Sequence, residues 1–327
     1  MKITQKKLNY TFDAAQPSSA TYDDAEDPVY AKINFARDLS ALNRVHIEQT
    51  TRKGVPYVYG VRVNATGSRI DKGAGTPDEL VSDDAVANST VTLRFYGTLN
   101  NWVYRNAAVK THAARENMFK KPLVPEMARG AYSRSVHYAL ESGSESYLDP
   151  VATTSRTSIN GGDWEITQLI YPDDAGGAFL TLTGAHGDEE TTTAHTDLCL
   201  PQLYLSSRHA EMEADTNVES ATHQAKHSVL NKLLTEDYGG TRDEIVALAR
   251  DEQDAPPYQL SDTGDWTNLV EIGRIQFNPY TGGTASTFIE VPFGVMKMQG
   301  QILDHSDDDA DWSLDLSFDV KTVGVMQ

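Results

Sequence analysis

Asp311-Trp312-Ser313-Leu314-Asp315-Leu316-Ser317-Phe318-Asp319-Val320 alternates without a break. Trp312, Leu314, Leu316, Phe318 and Val320 fall on one face, and acidic or small polar residues fall on the other. A side-chain period of two marks a strand with one face in a core and one in water. A strand is therefore expected over 312–325. The same pattern recurs in Thr90-Val91-Thr92-Leu93-Arg94-Phe95-Tyr96, where Val91, Leu93 and Phe95 share a face. Working outward, strands are expected near 2–12, 28–36, 44–51, 56–64, 89–97 and 131–140. Others are expected at 163–171, 177–184, 197–206, 267–277, 285–292 and 294–303. The stretch 65–88 is rich in Gly, Asp, Ser and Pro and reads as a long surface loop.

Two blocks break the alternation. Asn100 or Asn101 can cap a helix over 101–121, with Val103, Ala107, Val109, Ala114 and Met118 at partly helical spacing and Pro122 as its stop. A second helical block covers 208–253. Its first part spaces Val218, Ala221, Ala225, Val229 and Leu233 by three or four and ends at Gly239-Gly240. Thr241 and Glu244 then form a capping box for a shorter helix that Pro256-Pro257 closes.

A single core stops growing near ~250–300 residues, and this chain has 327. Two cores are expected. Strands joined by short turns, without regular βαβ alternation, argue for antiparallel sandwiches. The reading is mainly β: two antiparallel jelly-roll β-sandwiches with helical insertions. One spans 1–160 with helix 101–121, and the other spans 161–327 with helical block 208–253. They would join near Ser158-Ile159-Asn160-Gly161-Gly162. One larger sandwich with helical excursions is the alternative.

Composition narrows the function classes. No apolar run approaches the ~20 residues needed to span a bilayer, and Met1–Lys7 lacks the apolar stretch of a signal peptide. Cys199 is alone, so no intrachain disulfide can form. It lies in the apolar run Leu198-Cys199-Leu200 and is expected in a core. Folding in a cytoplasm is expected. The net charge is −19, from 47 acidic and 28 basic residues. Such a surface stays soluble at high salt, as in a marine or halophilic source, or simply belongs to an acidic protein. On average it repels nucleic acid.

The average conceals a reversal. Arg105, Lys110, Arg115, Lys120, Lys121, Arg129 and Arg134 are opposed only by Glu116 and Glu126, a local excess of five positive charges. This stretch either pairs with the acidic excess elsewhere or forms an inward-facing basic patch. A patch of that kind would bind phosphates or lipid headgroups without sequence reading.

Other constellations are weaker. His223 and His227 share a helix face, as in a zinc-binding motif, but Gln224 stands where the general-base Glu belongs. They are surface histidines, a structural metal site or a contact between subunits. His186, Asp188, Glu189 and His195 suit a divalent metal by type but not by any defined spacing. Asp307, Asp309 and Asp311 begin like a calcium loop, yet Trp312 occupies the turn glycine's place and Phe318 the closing acid's. They form an acidic turn or a structural Ca²⁺ site between subunits. No nucleophile elbow or phosphate loop is present, and the expectation is a protein that is not an enzyme.

Two jelly-roll-sized β units with helical inserts, no enzyme motif and a basic stretch resemble the double-jelly-roll major capsid proteins of tailless icosahedral viruses. Some of those viruses enclose a membrane. Val291-Pro292-Phe293-Gly294-Val295-Met296, followed by Asp311-Trp312-Ser313-Leu314-Asp315-Leu316-Ser317-Phe318, looks like the paired late strands of such a coat barrel. The resemblance implies a virion protein assembled in a host cytoplasm. It also implies a homo-oligomer, specifically a trimer, beside other capsid proteins. The strands would stand upright to the shell, with the basic face toward membrane or genome. No cofactor is implied beyond the structural Ca²⁺. A carbohydrate- or receptor-binding sandwich is the rival, with Tyr258, Trp266 and Tyr280 stacking on sugars. A third reading is a hydrolase that uses His186 or His195.

Overall fold

The computed structural model describes residues 3–14, 29–70, 90–120, 135–141, 147–152, 157–159, 164–170, 177–183, 197–209, 269–278, 284–303 and 311–327. Eight strands build two four-stranded antiparallel sheets. The first runs β1 (Lys7–Ala14), β11 (Asp311–Val325), β3 (Tyr57–Ile70), β9 (Thr284–Pro292). The second runs β2 (Val29–Asn34), β10 (Val295–Leu303), β4 (Thr90–Thr98), β8 (Leu269–Phe277). Along these eight strands the chain changes sheet at every step but one. β4 and β8 are neighbours in the same sheet, with Thr98 opposite Leu269. A small third sheet, β5 (Gln168–Ile170), β6 (Gly177–Thr181) and β7 (Asp197–Cys199), lies between them in sequence. Three helices complete the description: α1 (Phe35–Asn43), α2 (Trp102–Lys120) and α3 (Leu200–His209).

The alternating face of 312–320 does what its pattern dictates. Leu314, Leu316, Phe318 and Val320 are buried between the sheets. Phe318 lies opposite Leu8 on β1 and Val63 on β3. Its ring meets Tyr10 edge-on at 5.3 Å and reaches Phe95 of the facing sheet at 6.2 Å, also edge-on. Such pairs add directionality to apolar burial. This core runs from Leu8 to Val320 in sequence. Strands from both halves of the chain therefore interleave in each sheet, and the expected boundary at residue 160 does not coincide with a boundary between sheets. The expected mainly-β antiparallel sandwich is present, and among the described residues there is one eight-stranded sandwich.

Among the described residues a second buried cluster is present, and it is not a second sandwich. It joins Val103, Tyr104, Ala107 and Ala108 of α2 to Val136, Tyr138, Leu140, Leu180, Leu198 and Tyr204. One end of the sandwich closes it with Val58, Leu269, Phe293, Val295 and Met326. The described part of residues 99–268 is thus an insertion seated on that end. Phe293 is the plug. It sits in the tight β9–β10 turn with φ of 57°, beside Gly294 at 70°. Positive φ at both central positions is the turn geometry that matches strand twist. The Phe293 ring is fully buried, 5.1 Å from Tyr138 and 6.2 Å from Tyr104.

Several local expectations need correction. The strand placed at 28–36 stops at Asn34, because that residue caps α1: its Oδ1 accepts from Arg37 N–H at 3.1 Å. Strand 44–51 does not form. The chain leaves α1 through Arg44 in the left-handed region, and only Thr50 makes a bridge, to Pro56. In 131–140 the described residues 135–140 contain only a bridge from Ala139 to Thr181. The strand expected at 197–206 turns helical at Leu200; Pro201 suits a first helical turn, where its missing N–H costs nothing. Helix 101–121 is present as α2, and Asn101 Oδ1 accepts from Tyr104 N–H at 3.1 Å. Block 208–253 lies outside the described residues beyond His209.

The Asn34 cap carries a test. Asn34→Ala is expected to cost about 1 kcal/mol, read as a lower urea midpoint at unchanged slope. An unchanged midpoint would mean that tertiary contacts alone hold α1.

Candidate functional site

A cleft of about 990 Å³ opens where the insertion meets the flank of the sandwich. α1 supplies Arg37 and Ser40, and the chain just beyond supplies Arg44 and His46. α2 supplies Arg115 and Phe119 from its last turns. Two insertion segments complete the lining, with Ser135 and His137 on one and Trp164, Glu165 and Thr167 on the other.

Backbone pairing fixes the floor. His137 N–H donates to Thr167 Oγ1 at 2.9 Å, and Thr167 N–H donates to the His137 carbonyl at 3.0 Å. His137 Nδ1 lies 2.9 Å from the Glu165 carbonyl oxygen. A carbonyl only accepts, so Nδ1 carries the proton and Nε2 presents a lone pair. Burial pulls the imidazole down to about 4, outweighing the Glu165 hydrogen bond, so it is neutral near pH 7. The Trp164 indole stacks on His137 at 4.2 Å and 21°. The half-buried His46 ring lies beside this pair, 5.3 Å and 47° from His137 and 5.9 Å and 26° from Trp164. His137 Nε2 and Trp164 Nε1 are buried without a hydrogen-bond partner among the described residues.

One wall is a relay. Ser135 donates its hydroxyl proton to Glu48 Oε1 at 2.9 Å. Its oxygen can then accept from His46 Nε2 at 3.3 Å. The histidine is a donor in this arrangement, the reverse of a base activating a serine.

The opposite wall is locked. Arg37 donates from Nε to Asp38 Oδ1 at 2.7 Å, and from Nη2 to the Leu148 carbonyl and Asp149 Oδ1, both at 3.0 Å. Its guanidinium lies 5.1 Å over the Tyr147 ring. Asp38 also accepts from the buried Tyr10 hydroxyl at 2.6 Å. Burial pushes the Asp38 carboxyl up to about 6, against the pull of Arg37 and Tyr10.

Comparisons with protein-family models, curated proteins and solved structures return no match. Function is therefore argued from the geometry alone.

Of the basic residues singled out in the sequence, Arg115 reaches the cleft, buried with its guanidinium 5.3 Å over the Phe119 ring. Arg105 is half-buried. Lys110 is exposed and holds its ammonium 4.7 Å over the Tyr204 ring, and Lys120 is exposed in the last turn of α2. A five-residue step turns a helix by about 140° beyond a full revolution. Arg105, Lys110, Arg115 and Lys120 consequently point to different sides of α2. Lys121, Arg129 and Arg134 lie outside the described residues, as do His223, His227, Asp307 and Asp309. Asp311 opens β11 opposite Ile70. His186, Asp188, Glu189, His195, Tyr258, Trp266 and Tyr280 are outside as well. Among the described residues no three His, Cys, Asp or Glu side chains converge as metal ligands. Cys199 is buried, and burial pushes its thiol up to about 12, which removes the reactive thiolate at neutral pH.

The sequence reading missed Arg44, His46, His137 and Trp164. They lie in separate segments with no common spacing.

The neutral histidine predicts a pH signature. Its ordinary value is 6.5 and its folded value about 4. Between these the unfolded chain binds a proton that the folded chain does not, so stability falls as pH drops through that window. The full effect is on the order of 3 kcal/mol. Asp38 works oppositely: its folded value near 6 exceeds the ordinary 3.8, so its contribution grows as pH falls from 6 toward 3.8. His137→Phe removes the first effect and keeps the second. Urea midpoints of this variant are expected to fall less between pH 6.5 and pH 4 than those of the native chain. Parallel profiles would exclude His137 as the source.

Proposed function

We propose that this chain is a virion structural protein, a major coat subunit that self-assembles into capsomers of an icosahedral shell. Strand order carries the reading. The order β1-β11-β3-β9 faces β2-β10-β4-β8, and successive strands of the sandwich alternate between the sheets at every step except β4 to β8. That is the wrap of a jelly roll, a double-sheet fold used by viral coat and lectin domains. The sandwich is read as one jelly roll that carries residues 99–268 between β4 and β8. A double jelly roll needs a second eight-stranded sandwich, and the described residues supply strands for one.

Edges and exposure support assembly. Edge strand β9 exposes Thr284, Ser286, Phe288 and Glu290, and the Phe288 ring is 53% exposed. Edge strand β2 leaves Tyr30 42% exposed. Edge strands that leave large apolar side chains exposed favour contact with neighbouring chains. A closed shell repeats such contacts by symmetry. The trimer is the expected building unit. A structural Ca²⁺ between subunits and a face toward genome or membrane belong to the same proposal.

Light scattering and negative-stain imaging of purified protein, across concentration and salt, provide the test. Trimers, larger rings or shells are the expected result. A monomer under every condition overturns the reading.

A further inference from the structure

We infer that the cleft between α1, α2 and the insertion is a binding site for a nucleotide unit, free or within single-stranded nucleic acid. The inference stands on the cleft alone and does not rest on the coat reading.

Charge comes first. The chain carries −19 overall, yet the described lining sets Arg37, Arg44 and Arg115 against Glu165, with Glu48, Asp38 and Asp149 paired behind its walls. Arg37 is tied to Asp38 and Asp149, and Arg115 is buried, whereas Arg44 is exposed at the rim. Guanidinium groups match phosphate oxygens in geometry and charge. They disfavour a metal cation and attract an anion away from the acidic surface around them.

Shape comes second. Trp164 stacks on His137, and His46 lies beside both rings as the third corner of a triangle, on a half-exposed side of the cleft. Stacking on aromatic rings beside basic side chains is how sequence-tolerant sites hold bases and phosphates together. A base would stack against the exposed side of His46 while its phosphate meets Arg44. The volume, about 990 Å³, fits a ligand of nucleotide size.

A plain anion such as phosphate would use the arginines and leave the rings idle.

The experiment is calorimetric titration of the full chain with four probes: AMP, adenosine, inorganic phosphate and a ten-nucleotide dA strand. AMP is expected to bind at least 10-fold more tightly than adenosine or phosphate, because base and phosphate are both used. Arg44→Glu and His46→Ala, at the exposed and half-exposed rim, are each expected to weaken AMP at least 10-fold with melting curves near native. If the strand binds more tightly than AMP, and loses as much in both variants, the physiological source is a single strand. If AMP matches the strand, the source is the free nucleotide. Phosphate binding as well as AMP overturns the inference in favour of a simple anion site. Strand binding that both variants leave intact also overturns it, as does the absence of binding by both AMP and the strand.

Discussion

Phe293→Ala is expected to lower stability by about 3–5 kcal/mol, the range for deleting a fully buried aromatic side chain. The reason lies in where the ring goes. It leaves the β9–β10 turn of the sandwich and enters the core of the insertion, between Tyr104 and Tyr138. Truncation leaves a void that two tyrosines anchored on different segments cannot both close. A second substitution separates the ring from the turn. Phe293 holds φ at 57°, a conformation that costs a non-glycine residue about 1 kcal/mol or more. Phe293→Gly makes the same void but relieves the backbone. It is expected to be less damaging than Phe293→Ala by about 1 kcal/mol. Urea unfolding monitored by tyrosine circular dichroism reads both. Equal midpoints for the two variants would show that the turn is unstrained, and a loss below 1 kcal/mol for alanine would show that the ring does not hold the insertion.

Glu141→Ala is expected to cost a similar amount, about 3–5 kcal/mol, because it removes the carboxylate held between two lysines. Lys32 on β2 and Lys297 on β10 lie directly opposite each other. Like charges in that position repel. Glu141, from the insertion, meets both: Oε2 lies 2.6 Å from Lys32 Nζ and Oε1 lies 2.9 Å from Lys297 Nζ. The Lys297 side chain is only 9% exposed and that of Glu141 11%, so water cannot replace the carboxylate. Burial pushes the Glu141 carboxyl up, and the hydrogen bonds and charges of the two lysines bring it below its ordinary 4.5. Its contribution is therefore present above pH 4.5 and lost as pH falls through the depressed value. The triple variant Lys32→Met, Glu141→Leu, Lys297→Met is expected to recover most of the loss, since apolar groups need no counter-ion. Midpoints in 0.5 M salt are expected to change little for the native triad, which is shielded from mobile ions. A cost below 1 kcal/mol for Glu141→Ala would place these charges in water.

The sandwich strands are legible because each has one face in the core. Leu314 to Val320, Val91 to Phe95 and most of β8 and β9 repeat a period of two. Partners are not legible. Nothing local in Phe318 says that it faces both Leu8 and Val63, and a plan of two halves fits the pattern as well as the interleaved one. α1 is hidden because the alternation Val29, Ala31, Ile33 continues into Phe35, and only the Asn34 cap marks the change of period. α3 is hidden because Leu198-Cys199-Leu200 prolongs a strand pattern across the true boundary at Leu200. The cleft is the least legible part. Arg44 and His46 follow a helix, while His137 and Trp164 lie on irregular backbone, and their relation exists only after folding. The charge excess over 105–134 points to the right helix, but its five-residue spacing spreads the charges around α2 rather than along one side.

The chain leaves the second sheet at Thr98 and rejoins it at Leu269, and these two residues face each other across adjacent strands. A gap that short can be spanned by a hairpin turn. The sheet thus sets no length for what it carries there; its demands are a cover for Phe293 and a carboxylate between Lys32 and Lys297. A cassette that keeps those contacts can drift, shorten or be exchanged while the frame keeps its register.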